Sequence, residues 1–174
     1  DILTGGSGAD WISGGTGSDT LAGGLDADTF VIASGDSPAT IAGSVISGFD
    51  VINDFNANVD KLDFSVTPTV AANATVDGTN TTTGAITISS HQIVNGMISF
   101  DTSGGFDTAL AITTNAQIAA VVAYMRANDL GNAGTTVAFA ATLGATPHIF
   151  VYEQVGNSPS ATNDILVDLV NPTG

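Results

Sequence analysis

A mainly β fold is expected: an array of short repeats leading into a mostly antiparallel β region that holds one α-helix. Three observations predict it. Residues 5–31 are consecutive nine-residue units with glycines, an Asp and an apolar residue in fixed phase. Downstream, short apolar runs are bounded by turn residues, as in half-buried strands. Only Ile118, Val121, Val122 and Met125 space apolar residues as i, i+3, i+4 and i+7, which is one face of a helix.

The units are Gly5–Ser13, Gly14–Ala22 and Gly23–Val31, each reading Gly-Gly-x-Gly-x-Asp-x-U-x with U large and apolar. Asp26 is the exception, standing where the third unit should carry glycine. A glycine pair followed by another glycine two positions on permits positive φ and lets backbone carbonyls approach an ion. The Asp adds a hard anionic oxygen, the donor type that calcium prefers. The three residues after it read as a very short strand with an inward middle side chain: Ile12, Leu21 and Phe30. Asp1–Thr4 reads as the tail of an earlier unit, so the array is expected to be truncated at its N-terminal end.

On these residues the opening third resembles the RTX, or hemolysin-type, calcium-binding repeats. The resemblance implies a parallel β-roll in which two nonapeptides make one turn and Ca2+ lies between units eighteen residues apart. Carried onto this chain, it implies that the carbonyls of Gly6 and Gly8 with Asp10 face those of Gly23 and Leu25 with Asp28. It implies a second site joining Gly14, Thr16 and Asp19 to Asp1, and leaves open an ion held by Gly15, Gly17 and Asp19 against Ser34 and Asp36. Asp26 offers its carbonyl or its carboxylate, and Asp50 is a further ligand by likeness; the alternative for Asp50 is a solvated turn Asp.

Composition narrows the partners. Seventeen acidic residues against two basic ones give a formal charge of −15, an excess that repels itself in a compact state unless cations neutralise it. Phosphate contacts need Lys and Arg, so nucleic acid is not an expected partner, nor is an anionic membrane surface. With 43% apolar residues the chain can bury a core. It has no cysteine, hence no disulfide or thiolate metal site. No apolar run reaches membrane-spanning length.

Three segments are expected: 1–33 as the repeat array, 34–66 as a capping loop and strands, and 67–174 as a β-rich region with a helix near 115–130. Ser34–Ser47 is small, polar and Gly/Pro-punctuated, a loop by composition. Phe49–Phe55 and Val59–Ser65 resemble the D-x-I-x-D-F…D-K-I-D-L-S segment that follows the last repeat in many RTX proteins. Strands there are expected to cap the open end, since an uncapped coil exposes an apolar stack and unpaired backbone. Lys61 is expected to pair with a nearby Asp.

Thr67–Gly84, rich in Thr, Ala and Asn, reads as an irregular loop or weak strand. Asn95-Gly96 between apolar runs is a hairpin signal. Thr114-Asn115-Ala116-Gln117 has capping-box form at the start of the helix, and Gly131 is its stop. Strands are expected around Val137–Phe139, His148–Tyr152 and Ile165–Leu169. This half resembles, less specifically, C-terminal segments of secreted and S-layer RTX proteins, where a type I secretion signal lies near the C-terminus.

Nothing in the sequence assembles a catalytic site. His91 and His148 have neither triad nor metal-ligand spacing and read as structural. No G-x-S-x-G elbow occurs. Asp101, Asp107, Asp164 and Asp168 read as turn and strand-edge residues, Glu153 as solvated, and Trp11 as packed or half-exposed. The expectation is a non-enzymatic, calcium-binding module of a secreted, extracellular or bacterial cell-surface protein. It would fold on calcium outside the cell and support type I secretion, with calcium and the secretion machinery as partners and no membrane insertion. The alternatives are an S-layer or adhesin module that self-associates on a cell surface, or the non-catalytic tail of a secreted hydrolase.

Overall fold

The computed structural model describes residues 1–174. The first strands are β1 (Ile2–Ser7), β2 (Trp11–Ile12), β3 (Thr20–Leu25) and β4 (Thr29–Ile32). A hairpin follows, β5 (Thr40–Ala42) and β6 (Val45–Ser47), then β7 (Asp50–Ile52) and β8 (Lys61–Phe64). The second half holds β9 (Thr69–Val70), β10 (Ala74–Thr83), β11 (Ile86–Val94), β12 (Met97–Asp101) and α1 (Asn115–Asn128). It ends with β13 (Thr135–Leu143), β14 (Thr146–Gln154) and β15 (Ile165–Val170). The chain is thus mainly β with one helix.

The repeats coil between two layers. β1 pairs with β3 and β2 with β4, both parallel, with Leu3 beside Leu21 and Ile12 beside Phe30. Parallel neighbours need a connection that returns the chain to the same end. Here the strand in the opposite layer supplies it, so each turn consumes eighteen residues. Ile12, Leu21 and Phe30 are all buried, as their phase predicts.

The segments expected to cap the coil instead extend it. β7 adds in parallel to β3, and β8 to β4, with Ile52 beside Leu21 and Leu62 beside Phe30. The stretch between β4 and β7, read as a loop, forms the β5–β6 hairpin, which tucks Ala39 and Ile46 into the neighbouring core. The sheet then runs on: β7 pairs in parallel with β15, and β15, β14 and β13 are antiparallel. One sheet therefore passes from coil to C-terminal region in the order β1-β3-β7-β15-β14-β13-β12-β11-β10.

Alternation along β14 and β15 divides two cores. Phe150, Tyr152 and Leu166 face a core with α1, Phe139 and Phe100, while Ile165, Val167 and Leu169 face the interior of the coil beside Ile52. Thr114 caps α1 by accepting the Gln117 N–H at 3.3 Å, and Gln117 Oε1 reaches back to the Thr113 N–H at 2.8 Å. Asn95 and Gly96 both have positive φ, the hairpin turn that joins β11 to β12. Part of the stretch read as loop or weak strand is the ten-residue β10, paired antiparallel with β11. β-Branched Thr suits an exposed edge strand.

Candidate metal centre

The aspartates of the coil stack into two ladders. Asp10 N–H donates to Asp28 Oδ1 at 3.0 Å, and Asp28 N–H donates to Asp60 Oδ1 at 3.0 Å. On the other side the Asp1 ammonium contacts Asp19 Oδ1, and Asp19 N–H donates to Asp50 Oδ1 at 3.0 Å. The three steps made by Asp10, Asp28 and Asp19 are the same: a backbone N–H meets the first carboxylate oxygen of the Asp one turn further on.

The second oxygens are left over. Oδ2 of Asp10, Asp19, Asp28 and Asp50 is buried with no hydrogen-bond partner. A buried carboxylate oxygen without a donor costs several kcal/mol, so these positions call for positive charge. The glycines make room for them. A Cβ on Gly5 would lie 2.6 Å from Asp10 Oδ2, and Cβ atoms on Gly14 and Gly23 would collide with Asp19 Oδ2 and Asp28 Oδ2. The first glycine of each unit is thus set by the carboxylate folded over it, and the donor set suits a hard cation. No three acidic, His or Cys side chains converge anywhere. An ion here would therefore draw its remaining ligands from backbone carbonyls, which the glycine turns are suited to present.

The residues singled out by sequence fall as follows. Gly6, Gly8 and Asp10 lie in one turn, and Gly23, Leu25 and Asp28 in the turn stacked on it, with Gly6 opposite Gly24 and Ser7 opposite Leu25. Asp26 keeps the backbone of the missing glycine, φ 77°, a conformation that Asp tolerates better than most residues. Its carboxylate accepts the Gly8 N–H at 3.2 Å. Gly14 lies against Asp19, and Asp1 reaches Asp19 through its ammonium; no contact joins Thr16 to Asp1. Gly17 does meet Asp36, but through its N–H and the Asp36 carbonyl at 3.0 Å. The Asp36 carboxylate accepts the Ala33 N–H, and Ser34 N–H donates to Ser65 Oγ.

Asp50 is not a solvated turn residue. It is 1% exposed, and burial pushes its carboxyl up to about 7, helped by the charges of Asp19 and Asp36 and opposed by the Asp19 N–H. Two residues escaped the sequence reading of the site. Asp54 accepts Gly23 N–H and Gly24 N–H, each at 2.9 Å, and Asp60 accepts Asp28 N–H and Asn56 N–H. A signal was present: Asp50-Val51-Ile52 and Asp60-Lys61-Leu62 repeat the Asp-x-apolar half of the unit without its glycines.

Other expectations need correction. Glu153 is fully buried rather than solvated, because its strand lies between the two cores. Lys61 makes no ion pair with a neighbouring Asp. Trp11 is 76% exposed on the outer face of the coil. The histidines are held inside: His91 Nδ1 lies 3.1 Å from the Tyr124 hydroxyl, and His148 Nδ1 lies 2.8 Å from Asp168 Oδ1. Asp101 ties a loop by accepting N–H groups of Ser103, Asp107 and Thr108, which hold its carboxyl well below the usual range. No helix is long and apolar enough to cross a membrane.

No curated protein and no solved structure matches the chain. Residues 1–30 match a family described as the RTX calcium-binding nonapeptide repeat, in four copies. The ladders of unsatisfied aspartates therefore begin in the stretch that matches this family.

Proposed function

We propose that this chain is a calcium-responsive folding module of a secreted or surface protein. In this reading the coil of residues 1–33 is a parallel β-roll. The observation that carries it is the pair of orphaned, buried Oδ2 atoms on Asp10 and Asp28, in turns joined by the Asp10 N–H contact. A dication there satisfies both oxygens and removes the repulsion between the two carboxylates. Gly6, Gly8, Gly23 and Leu25 are the proposed carbonyl donors, and Asp19 with Asp1, Gly14 and Thr16 the donors of the turn on the opposite side. Asp26 contributes its carbonyl at most, since its carboxylate is engaged by Gly8.

Mass action gives the mechanism. An ion that binds only the folded state stabilises it by RT ln(1 + [L]/Kd). With Kd on the order of 10⁻⁴ M, calcium near 10⁻³ M outside a cell contributes about 1.4 kcal/mol per site. Submicromolar calcium contributes essentially nothing. Such a chain stays open for export by a type I route and closes outside. The module is non-catalytic in this reading, with both histidines committed to internal contacts. A circular dichroism titration tests it: the expected result is a gain of strand signal with calcium, reversed by chelator. Spectra unmoved by either would remove the proposal.

A further inference from the structure

The long sheet parts between β12 and β13. These strands run parallel, but their register is confined to Met97 opposite Ala138. At that end Ala138 N–H donates to Gly96 C=O at 2.9 Å. At the other end the segment 109–113 stands between them as a wedge. Leu110 N–H donates to Phe100 C=O at 2.6 Å, and Thr142 N–H donates to Ile112 C=O at 2.8 Å. A segment bonded on both sides holds its neighbours two strand spacings apart, about 9.6 Å. The strands therefore splay, and a cavity of about 350 Å³ opens between the wedge and the paired end. Its walls include Ile98, Phe100, Leu110, Ile112 and Ala141, and no charged residue lines it. Met97, Ala111, Ala140 and Thr142 on its rim are exposed.

Two strand groups face this opening, and alternation fixes which. Gly96 and Phe100 turn their C=O groups from β12 toward β13 or the wedge, so Ile98 C=O turns the same way. Ala138 and Thr142 turn their N–H groups from β13 toward β12 or the wedge, so Ala140 N–H does too. With no register beyond Met97 and Ala138, the two face the opening instead of each other. Backbone groups turned into an apolar-walled space call for partners. We propose that the opening takes a short, extended, uncharged peptide segment of another protein, running between β12 and β13. Adjacent residues of an extended segment turn their backbone groups to opposite sides, so one donates to Ile98 C=O while the next accepts from Ala140 N–H. The wedge shows the fit, since Leu110 and Ile112 already use that polarity toward β12 and β13. It does not slide down to fill the space itself: Gln117 Nε2 donates to Ala111 C=O at 3.1 Å and Gln117 Oε1 accepts Thr113 N–H, which pin it to α1. Apolar walls with a few fixed polar groups, enclosing about 300–1,000 Å³, are the usual form of a ligand site. A net charge of −15 opposes an acidic peptide, and opposes a second copy as the donor. The site lies outside the coil and does not rest on the calcium reading.

The probe is acetyl-Ala-Leu-Ala-Ile-amide, which copies the wedge, titrated into the full isotope-labelled chain in millimolar calcium and followed by NMR. The expected result is saturable binding, with the Ala140 amide proton moving downfield and exchanging with solvent at least tenfold more slowly. Peptides N-methylated at each residue in turn lose one backbone donor and keep their apolar side chains. One of them is expected to bind at least tenfold more weakly than the parent. Equal binding by all of them would reduce the opening to an apolar crevice and overturn the inference. An Ala140 amide that stays unmoved up to millimolar peptide overturns it as well. Sedimentation of the chain alone covers the other occupant: self-association that the peptide abolishes would seat a second copy in the opening and overturn the assignment to another protein.

Discussion

The coil and the sheet-and-helix region reach stability from opposite starting points. The core under α1 joins 21 buried residues, among them Phe100, Tyr124, Phe139, Phe150 and Tyr152. Phe139 and Phe150 stack at 5.1 Å between ring centroids, and Phe100 meets Phe139 edge-on at 5.9 Å. Such a core stabilises by apolar burial, roughly 1.5–3 kcal/mol per large side chain. The coil's core has 10, and Ile165, Val167 and Leu169 among them come from β15. Around that small core the coil buries Asp19, Asp28 and Asp50. A region that buries few apolar groups and several carboxylates depends on what neutralises the carboxylates. The region beside it also buries Asp101, Asp164 and Asp168, but each of these has hydrogen-bond partners on both carboxylate oxygens.

Chelation is the largest perturbation that separates the two. Removing calcium is expected to abolish amide exchange protection in β1–β4 and β7–β8 while β11–β14 stay protected. Hydrogen exchange read by mass spectrometry checks it. Loss of protection in both regions together would mean that β15, shared between the cores, makes them one cooperative unit. Next in size are matched cavities. Leu21→Ala and Phe150→Ala each empty a fully buried position and are expected to cost about 2–5 and 3–5 kcal/mol respectively. The costs should appear in different variables. Leu21→Ala should raise the calcium concentration at the folding midpoint, whereas Phe150→Ala should lower the melting temperature equally with and without calcium. Calcium-dependent effects from both would erase the distinction.

How far the sequence reveals this division varies with the range of the interaction. Leu21 and Phe30 can be placed inside because a nine-residue period repeats the same local geometry. Asn95-Gly96 and the Thr114–Gln117 cap are equally legible, since each is closed by groups within a few residues. The pairing of β7 with β15 is not: Val51 and Asp168 carry no local mark of one another. Nor is the role of Asp60, where the turn has lost its glycines but kept the register of Lys61 to Thr29. β10 stays hidden because Thr and Asn give it no apolar alternation, and its order comes from β11. Aspartates that the nonapeptide period stacks on one another are readable, and Asp50 is legible by resemblance. The carboxylates of Asp54 and Asp60, which meet Gly23, Gly24 and Asp28 across the inserted hairpin, show only in three dimensions.

Glu153 gives the smallest and most selective way to sharpen the contrast. It is the one fully buried acid lying outside the coil whose second oxygen has no partner: Oε2 receives the Thr136 hydroxyl at 3.4 Å, and Oε1 receives nothing. Burial, with a contribution from the charge of Asp164, raises its carboxyl from the ordinary 4.5 to about 7. The folded state therefore holds this proton more tightly than the unfolded chain does. Its favourable contribution is complete below pH 4.5 and is lost as pH rises through 7. Glu153→Gln keeps the shape and cannot ionise. It is expected to match wild type near pH 4.5 and to exceed it near pH 8, by about 3 kcal/mol at most given roughly 1.4 kcal/mol per pH unit. Urea unfolding of variant and wild type side by side, at both pH values and in saturating calcium, measures the difference. A gap that stays constant between them would show that Glu153 ionises freely in the folded state, and that the sheet region tolerates a buried charge as the coil does.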